Sequence, residues 1–342
     1  MSWTKVVRYK QIPQRSPEWY DIRGKYVTGS DFASLVPLTE PYLKHYLDYF
    51  GIHDPAFKKT KYGGIKTLRE WYGSRLKAST AVSEKQDSQF SATAHGILFE
   101  DVVSNITAQK LQTIAKPLGL VICPHNAYCA ISPDGVLCFD DRPAMSLELK
   151  CVTTRKISRE FIPFSYFMQT EFAAWQLGCT HGVYCEADIM QVSETYWKEH
   201  HASNEAKDTF HREHYYPYGL LLYNESTKQH QIPNQFIRTP AQFLKWRQSI
   251  IKDDPDVWRT IYYKINEIQL LLIPVRDNFE ALFASQIEHH HNQLMSYIKN
   301  PQDFLNDFPP PSVSKIVSDA SVATNTTNWL KRYAGKVIKE KT

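Results

Sequence analysis

Apolar and polar residues alternate from Met145 to Val152. Met145, Leu147 and Leu149 fall on one side and Glu148 and Lys150 on the other, the two-residue period of a strand whose faces meet different surroundings. The apolar run Tyr128 to Leu137 precedes it, and Asp140, Asp141, Arg142 and Pro143 supply turn residues between the two, so the pattern predicts an antiparallel hairpin. Upstream, a helix is expected from about Ala94 to Leu111 and a strand over Gly119 to Cys123. Downstream, a helix over Phe164 to Leu177 meets Gly178, which suits a C-cap, and His181 to Ile189 reads as a further strand. Helix, strands, helix and strand predict an α/β core with a central mixed sheet flanked by helices.

The flanks are less regular. Near the N-terminus Gly29 and Ser30 look like a turn into a helix from Asp31, with Ser30 as its cap. Residues 42 to 93 interleave aromatics with cations, including Lys58, Lys59, Lys61, Lys66, Arg69, Arg75 and Lys77. Such a mixture suits a surface that follows a nucleic-acid backbone, although Tyr42, Tyr46 and Tyr49 lie at helical spacing and fit a core better. Ser79 to Thr93 reads as a loop. Beyond residue 190, strands are expected over Tyr215 to Tyr223 and Gln231 to Arg238, and helices around Phe243 to Ile251, Val257 to Leu272 and Asn278 to Ile298. This organisation divides the chain into a core over 1–239 with a basic, aromatic-rich insertion at 42–93, a helical C-terminal extension over 240–308, and a flexible basic tail over 309–342. His289, His290 and His291 are consecutive; on a helix they splay apart and cannot share one metal, so a solvated face is expected.

Composition narrows the classes. The 342 residues are 42% hydrophobic and 22% charged, enough for a substantial interior, and the net charge of +4 means that nucleic-acid affinity must come from a local basic surface. Six cysteines show no C-x-x-C pair and no zinc-finger histidine spacing, so reduced, mostly buried thiols are expected. No apolar run approaches a bilayer span and the first residues lack a signal-peptide core, which predicts an intracellular protein without a membrane partner. No internal repeat, Walker-type loop or G-x-S-x-G elbow is present, which argues against an ATP-driven helicase-nuclease.

The hairpin carries the candidate chemistry. It brings Asp134, in Ser132-Pro133-Asp134-Gly135, beside Glu148, and Glu148 shares a strand face with Lys150. Paired carboxylates hold hard divalent cations through oxygen, and a neighbouring ammonium can orient an attacking water. An Asp followed by Glu-x-Lys recurs by chance in many soluble chains, so the surrounding motifs decide its weight.

Those motifs run in order over Pro13 to Asp188. They are Glu18-Trp19-Tyr20-Asp21-Ile22-Arg23 with Val27-Thr28-Gly29-Ser30-Asp31, then His95-Gly96-Ile97-Leu98-Phe99-Glu100, Ser132-Pro133-Asp134-Gly135, Leu147-Glu148-Leu149-Lys150-Cys151, and Tyr166-Phe167-Met168-Gln169. In them the sequence resembles the lambda-exonuclease-like (YqaJ viral recombinase) branch of the PD-(D/E)xK nuclease superfamily, with a layout similar to exonucleases of large DNA viruses. The resemblance implies a PD-(D/E)xK core and a divalent-metal-dependent 5′ to 3′ exonuclease acting on double-stranded DNA ends. It implies Asp134, Glu148, Lys150, Glu100 and Gln169 as catalytic residues, and Mg²⁺ or Mn²⁺, two ions per site, held by Glu100, Asp134, Glu148 and the Leu149 carbonyl. The terminal 5′-phosphate falls to Arg23, Ser30, Ser132 and Gln169, with further DNA contacts at Lys58, Lys59, Lys61, Lys66, Arg155 and Lys156. A single-strand annealing protein is the implied partner for the 3′ tails, in recombination, repair or viral DNA processing within the host cytoplasm or a viral replication compartment. Relatives include ring-shaped trimers, so a homo-oligomer is one arrangement. An endonuclease or junction resolvase of the same superfamily, or a non-catalytic DNA-end-binding protein, is the alternative.

Overall fold

The computed structural model describes residues 11–53, 65–80, 92–123, 126–139, 144–153, 155–233, 237, 239–252 and 257–309. In chain order the elements are α1 (Pro17–Lys25), β1 (Val27–Thr28), α2 (Gly29–Phe32), α3 (Glu40–Phe50), α4 (Leu68–Thr80), α5 (Ala92–Lys110), β2 (Ile114–Lys116), β3 (Val121–Ile122), β4 (Cys129–Ile131), β5 (Gly135–Cys138) and β6 (Met145–Val152). They continue with α6 (Phe164–Gln176), β7 (His181–Val192), α7 (Glu194–His200), α8 (Asn204–Glu213), β8 (Tyr218–Asn224), β9 (His230–Gln231), α9 (Pro240–Ile251), β10 (Trp258–Pro274), α10 (Phe279–Lys299) and α11 (Pro301–Asp307). Seven strands form one mixed sheet in the order β2-β5-β6-β7-β10-β8-β9, and a small sheet runs β1-β4-β3. Among the described residues of the large sheet, only β6 and β7 pair in parallel. Their connection runs through α6, the crossover that a parallel pair requires.

The strand period sorts the core onto the two faces. Leu147 and Leu149 of β6, with Val183, Cys185 and Ala187 of β7, pack against Phe99, Val102, Val103 and Ile106 of α5. On the other face Tyr184 joins Phe164, Phe167, Met168 and Phe172 of α6, which continue into the α2, α3 and α10 side chains. Glu148 and Lys150 therefore emerge on the α6 side. Gly178, with φ +64°, ends α6 in the left-handed conformation expected of its cap. Glu171 on α6 is buried and takes both arms of the Arg276 guanidinium at 2.7 Å, tying the chain after β10 to this helix. Tyr42, Tyr46 and Tyr49 of α3 pack into the core, as their spacing predicts, and Tyr46 donates to the Ile162 carbonyl at 2.6 Å.

Four expectations change. The segment Val257 to Leu272, expected as helix, is the 17-residue strand β10, which pairs with β7 over twelve positions and with β8 over seven. Its composition is β-branched and aromatic, which suits a strand, but a register shift between Ile265 and Glu267 reverses the alternation. Ile261, Tyr263 and Ile265 face the α5 side before the shift and Ile268 and Leu270 after it. The resulting three-residue step imitates a helical period. The segment expected as a helical extension over 240–308 therefore contributes a central strand to the sheet, β10, between its helices α9 and α10. The α2 helix begins at Gly29, one residue after an N-cap at Thr28, so Ser30 sits inside its first turn and does not cap it. Of the strand expected over Gln231 to Arg238, only Gln231, in β9, is paired among the described residues. Finally, His290 and His291 do not form a solvated face. His290 packs on Trp71 and Tyr72 and accepts or donates at the Tyr72 hydroxyl (2.8 Å), while His291 packs on Tyr26 and Tyr128. Burial lowers the His290 pKa to about 4. Helices α7 and α8 were not anticipated. Lys58, Lys59, Lys61 and the basic tail from residue 310 lie outside the described residues. No helix among the described residues is long and apolar enough to cross a membrane.

Candidate active site

The expected hairpin forms, with Gly135 opposite Leu147, Val136 opposite Ser146 and Leu137 opposite Met145. That register seats Asp134, just before β5, against β6. Its backbone N–H donates to the Leu147 carbonyl at 3.1 Å and its carboxylate accepts the Leu149 N–H at 2.7 Å. Gly135 is required here by close approach, since a Cβ would stand 2.9 Å from the Lys116 carbonyl of β2. Two residues along β6, the Lys150 ammonium touches the buried Glu148 carboxylate and lies 5.1 Å from the Tyr166 ring on α6. Glu100 reaches the same region from α5 and pairs with Arg15 at 3.5 Å.

The electrostatics follow from burying several carboxylates together. Burial raises Glu100 to about 8, with repulsion from Asp134 adding to it and Arg15 opposing. Burial likewise raises Asp134, against the pull of Lys150, and brings Glu148 to about 7. Burial disfavours the Lys150 charge, but Glu148 and Asp134 outweigh it and hold this lysine protonated, above its ordinary range. Among the described residues no three His, Cys, Asp or Glu side chains already converge as a metal cage. Instead a lysine, an arginine and a backbone amide engage the three carboxylates. Three clustered carboxylates that repel one another, Glu148 buried and Asp134 and Glu100 half-buried, are nonetheless the donor chemistry that a hard divalent cation fits.

A second cluster adjoins the first. Arg23 stacks on Trp19, 4.4 Å from the ring centroid and one helical turn earlier, and donates to the Ser30 hydroxyl at 2.7 Å. Trp19 in turn donates its Nε1–H to the Ser132 hydroxyl at 3.1 Å. The structure thereby brings Arg23, Ser30 and Ser132 together. Gln169 of α6 lies alongside, its Cγ 3.6 Å from where a Gly29 side chain would begin. Burial lowers Arg23 from its ordinary value while Asp31 and Glu148 oppose, so the guanidinium feels the neighbouring carboxylate site.

Sequence reasoning missed the supports beneath these groups. Asp31 accepts from Arg75 at 2.9 Å and from Lys66 at 2.8 Å, and the buried Arg75 also donates to Thr28 at 2.6 Å. Lys66, expected as a DNA contact, is thus engaged at the base of the α2 turn. Arg155, expected likewise, clasps Glu186, which is fully buried and also accepts from the Tyr184 hydroxyl at 2.8 Å. Lys156 is exposed. A signal for Glu186 existed, as it is a lone charge in the apolar run Val183 to Ala187, and parallel register sets it opposite Lys150. An open cleft of about 450 Å³ lies elsewhere, between α5 and the β8 and α9 region, lined by Ile106, Tyr218, Ile237 and Phe243, and contains none of the carboxylates.

Residues 18–181, just under half of the chain, match the YqaJ-like viral recombinase domain. That segment holds all five motifs. An alkaline exonuclease from Laribacter hongkongensis is similar in structure at 14% identity, covering 85% of this chain and 99% of the other, with a TM-score of 0.41. The same exonuclease in complex with dAMP gives 12%, 85%, 99% and 0.43. A phage-related exonuclease from Haemophilus somnus 129PT gives 10%, 80%, 96% and 0.39. No curated protein matches the sequence.

Proposed function

We propose that this chain, with a YqaJ-like viral recombinase domain over residues 18–181, is a divalent-metal-dependent DNA exonuclease that degrades double-stranded ends 5′ to 3′ and leaves 3′ single-stranded tails. One observation carries the reading. The β5–β6 register sets Asp134 beside Glu148 and Lys150, and the Trp19 bridge joins Ser132, two residues from Asp134, to Arg23 and Ser30. Carboxylates and a cluster of hydrogen-bonding side chains therefore meet at one place.

In this reading Asp134, Glu148, the Leu149 carbonyl and Glu100 would hold two divalent ions, Mg²⁺ or Mn²⁺, with Glu100 serving the outer one. Such ions supply positive charge to the in-line transition state of phosphodiester hydrolysis. The protein does the rest. Lys150, held as an ammonium by its carboxylate neighbours, orients the attacking water as a hydrogen-bond donor. Arg23 offers a planar fork to the terminal 5′-phosphate, Ser30 and Ser132 offer hydroxyls, and Gln169 an amide. Held there, the phosphate aligns the first scissile bond, and binding becomes productive geometry. The partners in this reading are duplex DNA ends and a single-strand annealing protein that takes up the tails.

The decisive assay is digestion of end-labelled linear duplex, with or without a 5′-phosphate, in Mg²⁺ or Mn²⁺ and in chelator. A 5′-phosphorylated end is degraded faster than a 5′-hydroxyl end, and a closed circle is not cut. Arg23→Ala shrinks that preference about tenfold by slowing the phosphorylated substrate alone, since the hydroxyl end never makes the charged contact. Equal preference in both proteins removes Arg23 from a phosphate pocket, and cleavage of the circle assigns the site to an endonuclease.

A pH dependence follows from the raised carboxylates. Glu100 has an unfolded value of 4.5 and a folded value of about 8. Between these the folded state binds more protons than the unfolded state, so stability falls as pH rises through that window. A divalent ion needs the deprotonated carboxylate and reverses the loss. Buried His290, lowered to about 4, gives the opposite slope only below its unfolded value of 6.5, so melting temperatures of the metal-free protein are expected to decline from pH 6.5 to 8, with the Mn²⁺-induced rise larger at pH 8 than at pH 6.5. A rise independent of pH contradicts ion binding at Glu100.

A further inference from the structure

The chain approaches the site through residues 11–16, a segment pinned at both ends. Ile12 and Leu120 exchange backbone hydrogen bonds at 2.9 and 2.8 Å, and a Cβ on Gly119 would meet the Ile12 carbonyl at 2.5 Å. The Gln14 side chain donates to the Pro133 carbonyl at 3.3 Å and to the Leu118 carbonyl at 3.4 Å. Ser16 closes a four-residue turn by donating its N–H to the Pro13 carbonyl at 3.3 Å, and its hydroxyl caps α1 by accepting the Trp19 N–H at 3.2 Å.

Inside that turn stands Arg15, with φ +64°. The third position of such a turn favours glycine or asparagine, because in left-handed backbone a Cβ crowds the neighbouring carbonyl. An arginine held there is strained, and strain of this kind persists where the surroundings over-determine the conformation. Here the bridge to Leu120, the Gln14 contacts and the Ser16 cap do so. Their combined result is to deliver the guanidinium, half-exposed on its outer side, to within 3.5 Å of the Glu100 carboxylate.

We infer that Arg15 is a tethered cation of the metal site, holding the Glu100 carboxylate where an outer divalent ion would bind and yielding it to that ion. The inference rests on the nuclease reading, which assigns Glu100 to the outer ion. It has two consequences. Glu100 stays turned into the site before the ion arrives. The ion must displace a guanidinium, so the outer position loads more weakly than its oxygens alone would allow. Like charges repel over a few ångströms through a partly buried medium, so removing the arginine strengthens binding of the ion.

Calorimetric titration of the full chain with Mn²⁺ at pH 7.5, without DNA, tests this on wild type, Arg15→Gly and Arg15→Lys. Glycine accepts the left-handed backbone freely, so the turn survives the first substitution, and a melting curve checks it. Arg15→Gly is expected to bind the weaker Mn²⁺ ion about tenfold more tightly, and Arg15→Lys to stay near wild type because it keeps the charge. Equal affinities in wild type and Arg15→Gly overturn the inference while leaving the nuclease reading intact. Absence of Mn²⁺ binding by wild type overturns that reading, and this inference with it.

Discussion

Neutralising either hairpin carboxylate, by Asp134→Asn or Glu148→Gln, is expected to abolish measurable hydrolysis while leaving affinity for duplex ends unchanged or stronger. The amide replacements matter. Asp134 accepts the Leu149 N–H at 2.7 Å, and an alanine would leave that amide without a partner and confound chemistry with folding. Asparagine keeps one acceptor oxygen in the same shape and exchanges the charged second oxygen for a neutral amide NH₂. Without that charge the site would lose an anionic ligand for the ions, and with it several kcal/mol of transition-state stabilisation, roughly a thousandfold or more in rate. End binding draws mostly on cation contacts to phosphate and does not need the carboxylates. Single-turnover digestion in Mg²⁺ and gel-shift titration in Ca²⁺ give the two readouts. Wild-type turnover by either variant would displace the site from this hairpin.

The second large effect concerns Lys150. Lys150→Met keeps a straight chain against the Tyr166 ring and deletes the ammonium, and it is expected to slow the chemical step about a hundredfold or more. The direction of its pKa sharpens the expectation. Glu148 and Asp134 hold the lysine protonated, so it acts as a donor to water, and the rate of the wild-type enzyme should show no ascending limb attributable to lysine deprotonation near neutral pH. Loss of the ammonium also leaves Glu148 without its contact, so Mn²⁺ affinity is expected to rise as the rate falls. A structural role alone would lower both. An unchanged single-turnover rate reduces Lys150 to a packing residue.

Much of the core was legible because its signals are local. A period of two puts Leu147 and Leu149 opposite Glu148 and Lys150, turn residues make the hairpin the natural connection, and α5 and α6 form where the sequence predicts helices. The hairpin alone brings Asp134 to β6, so this part of the site follows from short-range sequence. The left-handed Gly178 was equally local, a consequence of what glycine tolerates at the end of a helix.

What the sequence by itself determined, then, is each element whose faces repeat with an unbroken period and each contact made across one tight turn. The tertiary structure decided the rest. Strand β10 read as helix because a register shift after Ile265 breaks its alternation, and only pairing with β7 on one side and β8 on the other reveals it as a central strand. Ser30 looked like a cap, yet the fold gives that position to Thr28 and turns Ser30 toward Arg23. Trp19 and Ser132 are 113 positions apart and Arg15 and Glu100 are also remote in sequence, so their contacts depend on packing α1 and the Pro13–Ser16 turn against two other elements. The ion pair of Arg155 with Glu186, like that of Lys66 with Asp31, has the same origin. Periodicity reports how one segment meets its surroundings; it carries no information about which distant segment supplies them.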